Sequence, residues 1–456
     1  MVLVLTMVVL QSISFANYAL TTKTTNIIYG SAPYLTFDGG RTRVTNTAAL
    51  LGISLSDGRK FTPTTNNSSS TNPIELPVEG QSFADIGMLV PTDTNSIALS
   101  SLIGTPYNYW GDDDGDGQGI DGVTATGSLN LFITDRRGQS VARNEVLTIC
   151  DGKAPYKLTL SNTSGTLKTR YGVPNESRFT AGNATYYINP KASPTICFAR
   201  PILQSWPTGH NMPGLSAAVW QEYKGFLPQS VTPSSYGLNF PTTGAHNLYF
   251  YLDFVGNNQA LSWAPVSHGG ITATMTYSRI NSVLVTLTGP VATDYQWSSD
   301  NPGRIDRPSL PQVFELVGRD SSGNAVVKYG FELKQWFVNR SGSNSSFTYS
   351  QALSWCNNIG YSFPKVKDLT NALYLVSGST IGATPSSPSN QYRRHIGGGL
   401  LSEWGRMFDY NNSRFYTGEP IATDENGGIF VLDSVGKVIA YREELGRYLS
   451  GLCVYP

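Results

Sequence analysis

The 456 residues suffice for about two to four domains of ordinary size. Only 14% are charged, and Lys+Arg and Asp+Glu balance at 32 each, so no global field favours nucleic acid or an anionic membrane. Charge this far below the roughly 25% of average domains, with 11% aromatic residues, 25 Tyr and 46 Gly, argues against a helical cytosolic enzyme and for an all-β extracellular chain.

The first element is an export signal. Val2 to Leu10 is almost continuously apolar, and Ser14-Phe15-Ala16 supplies small residues at the cleavage-determining positions. Residues 1–16 are therefore read as a signal peptide cut after Ala16. The run is too short to span a bilayer, and no Lys or Arg precedes it, which is atypical. The alternative is a buried N-terminal strand. No other segment approaches a membrane span.

Residues 20–160 read as an N-terminal β domain, with "TPTTNNSSSTNP" (Thr62 to Pro73) as a polar loop. Within this domain Asp112-Asp113-Asp114-Gly115-Asp116-Gly117 matches D-x-D-x-D-G, the first half of a calcium loop. Carboxylates at alternate positions converge on one ion, and the glycine permits the sharp turn. Val123 stands where an EF-hand needs its last Glu, and no amphipathic helix flanks the loop. The expectation is an irregular calcium site on Asp112, Asp114 and Asp116, completed by Asp121 or backbone carbonyls. The alternative is a solvated Asp/Gly turn. Gly117-x-Gly119-x-x-Gly122 matches the dinucleotide fingerprint only formally, because acidic residues rather than a buried strand precede it.

"GSLNLFITDRRGQSVARNEVLTIC" reads as a hairpin. Leu129, Leu131 and Ile133 alternate with polar residues, Asp135 to Gly138 turn, and a second run ends at Cys150. The strand pattern restarts after "SNTSGT", giving a second β (Ig-like) domain over 161–292 that includes "NLYFYLDFV" and "SVLVTLTG". "GPVATDYQWSSDNPGRIDRPSLP" (Gly289 to Pro311) reads as a linker or domain edge.

Beyond it the texture changes. Thr348 is a candidate N-cap for a helix with Tyr349, Ala352, Leu353 and Cys356 on one face. "KVKDLTNALYL" reads as a second short helix with a stripe of Val366, Leu369, Ala372 and Leu373. Cys150, Cys197, Cys356 and Cys453 contain no C-x-x-C, against zinc or thioredoxin chemistry. Three pairings are open, and the simplest is Cys150 with Cys197 and Cys356 with Cys453, one bridge per domain in an oxidising compartment.

The segments "YSQALSWCNNIGYSFPKVKDL", "IGGGLLSEWG" and "CVYP" resemble the C-type-lectin-like cap of the intimin/invasin adhesins, over about residues 310–456. "GSAPYLTFDGG", "FADIGMLVPTDT", "PYNYWGDDDGDGQG", "LKTRYGVPN", "YYINPKASPTICFARP" and "LNFPTTGAHNLYF" resemble an enterobacterial family of secreted or surface proteins labelled "adhesion domain". The resemblance implies a mainly β chain, with tandem β-sandwich (Ig-like) domains followed by an α+β C-type-lectin-like domain. It places Cys356 and Cys453 where a bridge joins the first helix to the last strand. It also implies a binding rather than enzymatic role, a protein or glycan receptor on a cell surface, and a virulence context. Intimin and invasin begin with a membrane barrel that this chain lacks, so release, or retention by an outer-membrane intimin-like barrel, is expected. "TGEPIATDENG" departs from the calcium-sugar motif of true lectins, since Ile421 follows Glu419-Pro420.

Catalytic constellations are scarce. His210, His246, His268 and His395 are isolated in sequence, and H-E-x-x-H, P-loop and G-x-S-x-G motifs are absent from the sequence. Glu403 and Trp404 in "SEWG" are expected to form a buried hydrogen-bonded corner. Two function classes follow. One is a secreted or surface-associated adhesin-like binding protein acting through its C-terminal domain. The other is a secreted glycan-active enzyme or carbohydrate-binding module. The sequence nominates no individual binding residue.

Overall fold

The computed structural model describes residues 29–114, 122–191, 193–201, 213–257, 259–340, 347–405, 419–433, 436–442 and 449–456. The expected signal peptide, residues 1–16, lies outside them. The chain forms two compact units. The first runs through Thr148 and from Lys153 to Lys191; the second comprises Ile149–Gly152 and Ala192–Pro456. No helix among the described residues is long and apolar enough to cross a membrane.

Unit 1 packs two sheets on one core. The strands of these two sheets are β1 (Ile74–Glu75), β2 (Ser96–Ala98), β3 (Thr124–Ala125), β4 (Ser128–Thr134), β5 (Tyr156–Asn162), β6 (Gly165–Lys168), β7 (Glu176–Phe179) and β8 (Gly182–Asn189). The five-stranded sheet runs β1-β8-β5-β4-β2 and the three-stranded one β7-β6-β3. Period-two alternation does the sorting, as expected for half-buried strands. Leu129, Leu131 and Ile133 point inward, while Phe132 stays 62% exposed.

Two sequence expectations need correction here. After the Asp135–Gly138 turn the second half of the hairpin forms no strand. Only a Thr134–Ser140 bridge remains, because Leu147 instead donates its N–H to Gln81, and β5 takes the place beside β4. The expected boundary at 160/161 falls inside β5, whose pairing with β8 carries the unit on to Asn189.

Unit 2 begins with β9 (Thr195–Pro201), β10 (Trp220–Gln221), β11 (Gly225–Phe226), β12 (Thr243–Ala245), β13 (Tyr249–Val255), β14 (Ser262–Trp263), β15 (Val266–His268), β16 (Ile271–Arg279) and β17 (Ser282–Thr288). Helix α1 (Asp294–Ser298), β18 (Gln312–Arg319) and β19 (Ala325–Leu333) follow. A seven-stranded sheet, β10-β11-β9-β13-β17-β16-β15, faces the three-stranded sheet β14-β18-β19. Phe314 and Phe331 stack at 5.2 Å, and Phe250 meets Phe331 edge-on at 6.1 Å. The second β domain therefore does not end at 292. A sheet with Phe250, Leu252, Val283 and Val285 fully or almost fully buried needs a second layer, and residues 312–333 supply it.

The α+β end starts at β20 (Gln335–Arg340) rather than at 310. It adds α2 (Tyr349–Ile359), α3 (Val366–Leu369), α4 (Leu400–Trp404), β21 (Glu419–Thr423), β22 (Ile429–Leu432), β23 (Val438–Ala440) and β24 (Leu449–Tyr455). The sheet order is β12-β20-β24-β21-β22-β23, so β12, from the sandwich stretch, joins this sheet in parallel with β20. Thr348 caps α2 in a capping box with Gln351, as its sequence suggested. The buried face is Ala352, Trp355, Cys356 and Ile359, and the Cys356–Cys453 disulfide ties it to β24. The second helix is a single turn. Thr370 Oγ1 accepts from Ala372 N–H, a local side-chain bond that competes with the helix, and it donates to Gly436 O while Asn371 Oδ1 accepts from Ser402 Oγ.

Residues 289–311 are not a linker. Trp297 Nε1 donates to Asn339 O, Trp355 Nε1 to Gln296 O, and Tyr361 Oη to Asp306 O. One continuous core runs from Ile196 to Val454, so the sandwich and the α+β end are a single packed body.

Candidate binding site

The most heavily bonded buried charge in unit 2 is Glu403, fully buried on α4. Its carboxylate accepts from Thr242 N–H, Thr242 Oγ1 (2.6 Å), Thr243 N–H (2.9 Å), Thr243 Oγ1 (2.6 Å) and Gly397 N–H (2.8 Å). Trp404, also fully buried, donates its indole N–H to Thr243 O at 2.9 Å. Arg394 Nη1 donates to Glu403 O, and the guanidinium stacks 4.9 Å over Trp220. The "SEWG" corner is thus buried and hydrogen-bonded as expected. Its partners stand 160 residues away in sequence.

Above this corner opens a cleft of 700 Å³, lined by Thr242, Thr243, Lys334, Lys367, His395 and Gly397 among others. Lys334 sits 3.9 Å from Glu332 and donates to Gly237 O. Lys367 pairs with Glu425 at 2.6 Å. Its hydrogen bond to the Glu425 carboxylate lifts the Lys367 ammonium above the ordinary lysine range, so it stays charged at neutral pH. His395 Nδ1 lies 2.6 Å from Ile396 O. The floor is fixed by Glu403, whereas the walls carry the Lys334 and Lys367 side chains and backbone amides. Sequence reading missed these residues. The only local signal is the triple glycine at 397–399 ahead of an acidic residue.

The other histidines do not converge. His246 Nδ1 faces Gly289 O at 3.0 Å, His268 packs edge-on to Phe314, and His210 lies outside the described residues.

In unit 1, Tyr34–Leu35 pairs with Trp110–Gly111 and carries the chain into the aspartate loop. Gly111 lies against the Tyr34 ring, leaving no room for a Cβ. Asp113, the residue that the alternate-carboxylate pattern skips, accepts from Tyr34 Oη at 3.2 Å and pairs with Arg43. Burial, reinforced by the Asp113 hydrogen bond, pushes the Tyr34 phenol up. Asp114 accepts from Ser31 N–H at 2.8 Å. Asp116 and Asp121 lie outside the described residues, as do all of residues 115–121. Among the described residues no three His, Cys, Asp or Glu side chains converge as a metal site.

The four cysteines form Cys150–Cys197 and Cys356–Cys453. Cys150 sits on Ile149–Gly152, a four-residue excursion flanked on both sides by unit 1 yet belonging to unit 2. The first bridge is therefore not internal to an N-terminal domain.

No protein-family model and no curated protein sequence matches the chain. Among solved structures it is similar to invasin, a bacterial integrin-binding protein, with a TM-score of 0.33 and 14% identity over 73% of this chain and 51% of that one. The chain thus spans about half of that invasin chain. It is also similar to the C-terminal 282-residue fragment of intimin in complex with the intimin-binding domain of the translocated intimin receptor. There the TM-score is 0.31 and the identity 14%, over 73% of this chain and 86% of that one. SGBP-B of a Bacteroides ovatus mixed-linkage glucan utilisation locus, in complex with a mixed-linkage heptasaccharide, gives 0.16 and 15% identity over 60% of this chain and 73% of that one.

Proposed function

We propose that this chain is an exported adhesin-type binding protein, which engages a protein or glycan receptor through the cleft above Glu403. The observation that carries the reading is the built floor. A fully buried carboxylate with five donors locks the sandwich stretch 242–243 to the α+β end, and the rim above it presents Lys334, Lys367 and His395. Binding sites gain from such preorganisation, because less freedom is lost when the partner docks. Cations on a rigid rim favour a partner with negative or hydrogen-bond-accepting groups.

The test uses the mature full-length chain on a glycan array and on host and bacterial cells. Binding lost in K334E/K367E, with an unchanged melting curve, supports the reading. Binding equal in parent and variant places the contact elsewhere, and cleavage of an arrayed glycan turns the reading to an enzyme.

Export and calcium belong to the same proposal. Signal cleavage after Ala16 is checked by N-terminal sequencing of secreted protein; a full-length cytoplasmic product rejects it. Calcium on Asp112, Asp114, Asp116 and Asp121 rests on the alternate carboxylates ahead of Gly117 in the sequence. Calcium at 100-fold excess over Kd should add about 2.7 kcal/mol to unfolding. Identical melting curves in calcium and in chelator reject it.

A further inference from the structure

We propose a second site, independent of the Glu403 cleft: the open end of the seven-stranded sheet in unit 2 takes a carboxylated saccharide. A cleft of 680 Å³ lies there, and its walls come from unit 2 alone. They are β9, the adjoining ends of β13, β16 and β17, the tip of the β10–β11 hairpin, and Asp151–Gly152.

The hairpin tip supplies the first reason. Lys224 N–H donates to Gln221 O at 3.1 Å, closing a turn with Tyr223 third of its four residues. Tyr223 has φ +63°. A turn with positive φ at this position ordinarily carries Gly or Asn, and a tyrosine there is strained. Packing does not compensate. The residue is 62% exposed, and its ring has no aromatic or cation–π partner among the described residues. A strained and unpacked tyrosine on a cleft rim is explained by a ligand whose flat face it covers.

Charge supplies the second reason. The cleft holds Arg200, Lys224 and Arg279 against Asp151 and Asp253. Arg200 pairs with Asp253 at 3.1 Å and stacks over Tyr251 at 4.6 Å, and Lys224 pairs with Asp151 at 3.4 Å. Arg279 is exposed and has no ion pair among the described residues. One positive charge is left over, enough for a single carboxylate rather than a densely acidic peptide.

Hydrogen-bonding texture supplies the third. Asp253 already accepts from Ser282 Oγ at 2.6 Å, and Asn281 and Ser282 lie beside it on the cleft wall. A carboxylate, an amide and a hydroxyl stand together on this wall, a mixture that suits the hydroxyls of a sugar ring.

The test is calorimetric titration of the full chain with oligogalacturonate, a glucuronate disaccharide and sialyllactose, each beside its neutral counterpart. At least one acidic saccharide should bind, and its neutral counterpart about tenfold or more weakly, the ratio expected for one lost charge-assisted contact. Y223G and R279Q should each lose about tenfold or more, while K334E/K367E should leave this binding unchanged. Y223G should melt at or above the parent temperature, since glycine relieves the left-handed strain, so its lost affinity cannot be ascribed to unfolding. The proposal is overturned if no acidic saccharide binds, if neutral counterparts bind equally well, if Y223G and R279Q bind like the parent, or if Y223G melts lower.

Discussion

Glu403 concentrates more hydrogen bonds than any other described carboxylate, and all its donors except Gly397 come from Thr242 and Thr243. In Glu403→Gln an amide group would face donors that need acceptors, leaving buried N–H or O–H groups unsatisfied. Urea unfolding of the full chain should show unit 2 destabilised by about 2–4 kcal/mol, with the unit 1 transition unmoved. An unchanged unit 2 midpoint would falsify the idea that this carboxylate locks the body. His246 makes a pH prediction. Burial outweighs its bond to Gly289 O and lowers its pKa, so the folded state holds the neutral ring more tightly than the unfolded state does. The stabilisation is complete above the unfolded value of about 6.5 and declines as pH falls through it. Native-state stability should drop from pH 7 to 5, and His246→Phe should flatten that slope. A variant with the parent's slope assigns the drop to other groups. The sequence marked Glu403 and Trp404 as a buried corner because "SEWG" is part of the segment that resembles a lectin-like cap. It could not mark Thr242 and Thr243, since a threonine pair is unremarkable until the fold brings it to a carboxylate.

At the scale of elements, one turn recurs in both units. Asp135, Asp320, Asp424 and Asp433 each accept through a side-chain oxygen from the backbone N–H four residues on. Each also bonds that same residue through the backbone, and the glycine third after each has positive φ: Gly138, Gly323, Gly427 and Gly436. The aspartate braces the turn and the glycine supplies the left-handed residue of a three-residue hairpin loop. A D-x-x-G-x pattern is legible in sequence, although only the Asp135 copy stood out between clear strand runs. An added Cβ at Gly323 meets open space, so Gly323→Ala carries backbone strain alone, about 1 kcal/mol. At Gly436 it meets Tyr392 at 2.7 Å, so Gly436→Ala should cost clearly more. Denaturant midpoints of the two variants decide this, and equal shifts would show that the Tyr392 contact relaxes. The α2 helix was readable from Thr348 and its apolar face. The second helix was overcalled because its apolar stripe continues through Ala372 after Thr370 and Asn371 have turned the chain away.

At the scale of the whole molecule, strands and their inward faces were largely visible in the sequence, whereas domain limits were not. Alternation reports what a strand buries, but not which sheet covers it. Thus residues 312–333 read as the start of a new domain while they close the sandwich, and Gly289–Pro311 read as a linker because its Pro, Gly and Asp hide side chains bonded to β20 and α2. The shared core changes the expected effect of breaking Cys356–Cys453. The bridge spans 97 residues, worth up to about 4.7 kcal/mol in the chain-entropy description. Cys453→Ala should therefore weaken the sandwich of unit 2 together with the α+β end, not the end alone. Hydrogen exchange should show β13 and β17 losing protection along with β24 while unit 1 keeps its own; protection lost only beyond residue 334 would mean that the two parts open separately.

The Cys150–Cys197 bridge has a mechanical consequence. When a chain is pulled from its two ends, tension follows the shortest covalent path, and here that path leaves the backbone at Cys150 and rejoins it at Cys197. Strands β5 to β8 lie on the bypassed arc. Force can tear them from their neighbours but cannot stretch their backbone. The arc of 47 residues is a hidden length of about 160 Å at full extension, and the 97 residues between Cys356 and Cys453 hide about 330 Å more. In single-molecule pulling, reductant should lengthen the fully extended chain by the sum of the two. The oxidised chain therefore yields less length under load than its residue number allows, because its two cross-links set the limit.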